Sequence, residues 1–130
     1  MSRETVKTEA APQAIGPYSQ AVKVDGLVLT AGQLPMDPET MQLVGDDIET
    51  QTAQVMRNMA AVLDAAGAGF ADLVKTTVFL KDLGHFSRFN DIYAHSFEGC
   101  EPPARSTVQV AALPLGALVE IEAIARIPGR

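Results

Sequence analysis

One cysteine, Cys100, stands among 130 residues, so an internal disulfide is excluded, and a lone thiol fits a reducing compartment. Basic stretches are missing as well. The ten lysines and arginines are scattered singly against sixteen acidic residues, for a net charge of −6, and a nucleic-acid backbone would be repelled by such a surface. No apolar run is long enough to cross a membrane. The start, MSRETVKTEAAPQ, has neither the apolar centre of a secretory signal nor the basic amphipathic pattern of a transit peptide, so a cytoplasmic protein is expected. There is no glycine-rich nucleotide motif, because Gly67-Ala68-Gly69 follows a helical pattern instead of opening one. His85, His95 and Cys100 have no recognised metal spacing, and nothing beyond residue identity marks Cys100 and His95 as a nucleophile and base.

What remains is a chain with 47% hydrophobic residues and no shift in composition, which predicts one domain over residues 1–130. Thr5 to Thr8 reads as a short strand, followed by an ordered loop, AAPQAIGPYSQ, whose prolines and glycine forbid a helix. Ser19–Val24 and Leu27–Ala31 are strands joined at Asp25-Gly26, a hairpin signal. Asp47 to Ala66 carries Ile48, Val55, Met56, Met59, Val62, Leu63 and Ala66 at helical spacing. Asp46 with Glu49 resembles its capping box, and Gly67 its left-handed stop.

Leu73 to Lys81 is a strand with two largely apolar faces, Leu73 and Phe79 on one and Val74, Val78 and Leu80 on the other, as for a strand covered on both sides. Phe86 to Phe97 places Phe86, Phe89, Ile92, Tyr93 and Phe97 on the stripe of a second helix. Ala104–Ala111 and Leu118–Ile127 are the last strands. The order β β β α β α β β, six strands interrupted by two helices, is an α+β layout in which both helices cover a single sheet face. The other face keeps apolar residues that one small domain cannot cover, so a homo-oligomer is expected.

Arg105 lies in the strand-like run PARSTVQV, on one face with Thr107 and Gln109, just after the stiff Pro102-Pro103. These three polar groups form either a solvated edge or an anion receptor, for which a planar guanidinium is suited. Glu120 and Glu122 share a face of the final strand with Leu118 and Ile124. They are either exposed carboxylates or, if one is desolvated, a proton-transfer group. Arg105 and a glutamate could pair with each other or share a substrate. Tyr18, after Gly16-Pro17, is a packing residue or a ring aimed into a cleft, and Gly32 could present backbone amides to an anion.

The runs AIGPYSQA (14–21), LVLTAGQLPMDP (27–38), LVKTTVFLKDL (73–83), PPARSTVQVAALP (102–114) and VEIEAIA (119–125) closely resemble the YjgF-type Rid family, and its RidA branch of reactive-intermediate deaminases. The resemblance spans nearly the whole chain. It implies a chorismate-mutase-like mixed sheet with two helices, a homotrimer with active sites between subunits, and no cofactor. The implied reaction is hydrolysis of 2-enamine or 2-imino acids, such as 2-aminoacrylate and its imine 2-iminopropanoate, or 2-iminobutanoate, to 2-keto acids and ammonia. Such intermediates are released by pyridoxal-phosphate enzymes, serine and threonine dehydratases among them.

By the resemblance, Arg105 grips the substrate carboxylate and Glu120 is associated with the attacking water, while Tyr18, Gly32 and Asn90 line the site. Ala31 stands where serine is frequent and Thr107 where cysteine is frequent, both at positions bounding the pocket. The rival readings are a non-catalytic or regulatory module that binds small carboxylates, and an RNA-acting member of the family, an endoribonuclease or translation inhibitor. The acidic charge speaks against RNA.

Overall fold

The computed structural model describes Ser2 to Gly129. Six strands, β1 (Glu4–Val6), β2 (Ala21–Val24), β3 (Leu27–Thr30), β4 (Leu73–Leu80), β5 (Ala104–Gln109) and β6 (Val119–Arg126), form one sheet. The two helices are α1 (Ile48–Ala65) and α2 (Phe86–His95). Spatial order is β1-β2-β3-β6-β4-β5, antiparallel throughout except for the parallel β4–β5 pair at one edge. The expected order of elements and the placement of both helices on one face are as the sequence predicts.

Local chemistry explains most boundaries. Asp25 and Gly26 turn β2 into β3 with φ of 52° and 80°, the left-handed pair that a two-residue hairpin of this twist requires. α1 is capped by Asp47, whose Oδ2 accepts the Thr50 N–H at 2.8 Å, one residue later than the Asp46 box predicted from sequence. Both acids suit the position, and the backbone decides between them: Asp47 is extended, as a cap must be. At the other end Gly67 takes φ 86°, its N–H bonding to Asp64 O and that of Ala68 to Leu63 O.

The core lies between the helices and one sheet face, where Val28, Leu80, Phe89, Val119 and Ile121 are sealed from solvent. Burying each such side chain contributes about 1.5–3 kcal/mol. Three buried amides of α1 then fix the loops that border the site. Asn58 donates to the carbonyls of Leu34 and Met36, both at 2.9 Å, Gln54 donates to Asn58 Oδ1, and Gln51 accepts the Leu118 N–H at the entrance to β6.

One face assignment is corrected. The register of β4 slips between Leu73 and Lys75, so Leu73 turns into the core beside Ala125 while Val74 is left outward and half exposed. A bulge adds one residue and inverts the alternation on one side of it, which strict period two cannot foresee. The open face of the sheet therefore carries Leu27, Leu29, Val74 and Val108, all exposed, with Phe79 and Ile124 partly so. Among the described residues nothing covers β4 on that side.

Candidate functional site

Pairing registers decide where the two candidate charges go. Arg105 is level with Thr76 and Thr107 with Val78, which places both on the helix-covered face. Glu120 is level with Phe79, on the open face. Two interstrand steps, roughly 10 Å, and the thickness of the sheet separate them, so they are no salt bridge within one chain.

The Arg105 side is built by β5 and α2. The guanidinium carbon lies 4.9 Å from the ring centre of Tyr93, 5.4 Å from that of Phe86 and 5.6 Å from that of Phe89. Three rings at this range hold a cation at about 0.5–2 kcal/mol each and fix its plane. Their spacing along α2 puts them on one stripe. The Tyr93 hydroxyl is tied to Thr76 Oγ1 at 2.7 Å, and its acidity is weakened by burial against the smaller opposing effects of that bond and the Arg105 charge. Among the described residues Arg105 has no anionic partner.

Two buried polar atoms here also lack partners, Thr107 Oγ1 beside Arg105 on the strand face and Asn90 Oδ1 on α2. A third is His85 Nδ1, in the turn before α2, which Gln109 holds by accepting the Leu83 N–H at 2.9 Å. Buried polar groups are normally satisfied, and an orphan hydroxyl on the same strand face as an unpaired cation marks a receptor for something polar.

The Glu120 side is built by β6 and the loop after β3. Gln33 and Ile121 exchange N–H···O bonds of 2.7 and 3.2 Å, drawing Gly32 against Glu120. A Cβ at residue 32 would overlap the Glu120 carboxyl group, so only glycine admits the carboxylate there. Half-burial pushes the Glu120 carboxyl above its ordinary range, with a smaller upward push from the Glu122 charge.

Ala31 precedes this contact, its N–H bound to Gln20 O at 2.9 Å and its carbonyl accepting from Gln33 Nε2. Tyr18 is exposed, with its hydroxyl accepting the Ile15 N–H, and it borders with Gly32 a hollow of about 330 Å³.

The sequence-predicted residues thus fall into two groups: Arg105, Thr107 and Asn90 on one surface, and Glu120, Gly32, Ala31 and Tyr18 on another. Sequence reasoning saw Phe86, Phe89 and Tyr93 only as a core stripe. Their repeat at three and four residues was the available signal for a cation's cradle.

A family model described as Endoribonuclease L-PSP matches residues 8–127. The chain belongs to the YjgF/Rid family. Among its YjgF/Rid relatives, Reactive Intermediate Deaminase A, chloroplastic, of Arabidopsis thaliana is 50% identical over 127 residues, covering 98% of this chain and 67% of the plant protein. The crystal structure of YyfA from Yersinia pestis, a Rid protein of unknown function, superposes with a TM-score of 0.95 at 51% identity, over 97% of this chain and all of that one. E. coli TdcF, crystallised with bound serine, superposes with a TM-score of 0.91 at 40% identity, over 95% and 98%. The mixed six-stranded sheet with two helices is the fold of these YjgF/Rid structures.

Proposed function

We propose that this YjgF/Rid protein is a cofactor-independent deaminase of 2-imino and 2-enamino acids. Its site is assembled between copies of the chain in a homotrimer. The observation that carries the reading is the guanidinium of Arg105, held by three rings with no anion of its own, which suits a small carboxylate. The plant relative named as a reactive-intermediate deaminase and the serine bound to TdcF support the same ligand class.

Arg105 and Glu120 lie on opposite faces, so a substrate can meet both only where one copy offers its Arg105 surface and a neighbour its Glu120 surface. Arg105 grips the carboxylate and sets the imine carbon beside a water. As the water oxygen bonds to that carbon, Glu120 takes its proton, and the C=N π pair moves to nitrogen, which receives the proton in turn. A second transfer, from the new hydroxyl to nitrogen, breaks the C–N bond and leaves ammonia and a 2-keto acid. A carboxyl raised toward the working pH serves both directions of transfer, for an acceleration of about 10²–10⁴ from proton transfer, in addition to positioning. The unpaired Thr107 hydroxyl donates to the bound acid, and Asn90 Oδ1, an acceptor only, takes a hydrogen bond from the substrate's N–H.

A serine or threonine dehydratase coupled to keto-acid detection, with semicarbazide reporting free imine, tests the reading. Added protein speeds keto-acid release and suppresses semicarbazone, whereas Glu120→Ala does neither while still binding a 2-keto acid. Release at the spontaneous rate with wild-type protein would reduce the site to a carboxylate-binding module. The family description as an endoribonuclease names a second activity. RNA cleavage that survives in an Arg105→Ala, Glu120→Ala double variant would belong to another site or a contaminant.

A further inference from the structure

The three most exposed large hydrophobic side chains in the described chain, Ile15 (66%), Leu115 (63%) and Tyr18 (52%), all border the same hollow of about 330 Å³. Apolar groups left open together, around a concavity, mark a binding surface in a way that scattered ones do not. Leu115 is held there at some cost. It has φ 61°, a left-handed backbone that leucine rarely adopts, between Pro114 and Gly116.

The floor is formed by Leu34 and Met36, whose carbonyls are anchored by Asn58. The polar side chains of the wall are already engaged. The Gln20 amide donates to Thr8, Ala11 and Pro12 carbonyls and accepts the Thr8 N–H, Gln13 donates to Thr8 O, and Gln33 donates to Ala31 O. The hollow has little hydrogen bonding left to offer an occupant.

Its position supplies the occupant. Gly32 lines the hollow and also abuts the Glu120 carboxyl, so a single residue links the cavity to the group that handles the proton. We infer that this hollow is the subsite for the substrate's side chain, and that the protein favours imino acids with branched aliphatic or aromatic side chains over the smallest ones. Ile15 and Leu115 set that preference. The inference rests on the deaminase reading and adds the substrate class to it. A volume equal to that of about ten waters is far more than one methyl group can fill, and each methylene that displaces water there favours binding about fourfold.

An amino-acid oxidase supplies imines from leucine, phenylalanine and alanine, and semicarbazone suppression gives kcat/KM for each. The leucine- and phenylalanine-derived imines are expected to be preferred by about tenfold or more. Leu115→Gly, which suits the left-handed backbone, and Ile15→Ala should each cut the leucine-to-alanine ratio several-fold, with unchanged sedimentation. Binding of the keto acids of leucine and alanine, measured by calorimetry, should show the same loss of preference.

A flat wild-type ratio, or variants that lower all imines alike, would sink the subsite while leaving the deaminase reading intact. If Leu115→Gly dissociates the assembly, the hollow is a contact between copies and the inference fails. If no imine is accelerated but the leucine keto acid still binds preferentially through Leu115, the subsite stands and the deaminase reading falls.

Discussion

The two faces of the sheet are made from the same strands and finished differently. On one, α1 and α2 close over Val78, Leu80, Val119 and Ile121 and leave a rim open at β5. On the other, Leu29, Val74 and Val108 remain exposed beside a half-buried carboxylate. Arg105 stands at the rim of the finished face, stiffened by three rings. Glu120 belongs to the unfinished face, steered by a loop and a glycine. On the proposed reading, the contrast teaches that the chain alone holds two half-sites, each organised before its counterpart arrives.

The hardest blow to this division is a charge on the open face. Leu29→Asp should leave the helix-covered core and the circular-dichroism spectrum intact, abolish deaminase activity, and turn the assembly into monomers in sedimentation. An active monomer would mean that the open face is no interface. Next in size is the cation. Arg105→Ala removes two charge-assisted hydrogen bonds to substrate, about 3 kcal/mol or more, for a loss of ~10²–10³ in kcat/KM with the assembly unchanged. Arg105→Lys, which keeps the charge and loses the planar fork, should recover only part of that loss.

The smallest effect is on stability, and it separates the faces by pH. Burial raises the Glu120 carboxyl above its ordinary value of 4.5, so its protonated form is favoured in the folded chain. The stability this group contributes is present below the unfolded value and is lost as pH rises through the folded one. Glu120→Gln should therefore unfold at a higher temperature than the wild type at about pH 7, and without that advantage at about pH 4, as followed by thermal melts. An advantage that persists in acid would point to packing instead of charge.

The sequence made the covered face legible and the open face much less so. The spacing in α1, the stop at Gly67 and the Asp25-Gly26 turn are local matters, decided within a few residues, and they were readable. Arg105, Thr107 and Gln109 were correctly grouped, since period two holds along an unbroken strand. Strand order was out of reach, because the insertion of β6 between β3 and β4 depends on contacts far apart in the chain. So did the relation of Arg105 to Glu120, which could be pair or partners until the registers set them on opposite faces. The Val74 bulge and the overlap of residue 32 with Glu120 are likewise events between strands, with no pattern of their own in the runs LVK and LTAGQ.

A chemistry divided between opposite faces, as proposed, makes protein abundance a variable of the reaction. Diluted below the point where copies separate, every molecule would keep its fold and both half-sites, and none would turn over. Specific activity would then climb with concentration while the folded fraction stayed constant, so the cell could set the rate through how much of the chain it makes, with no effector at all.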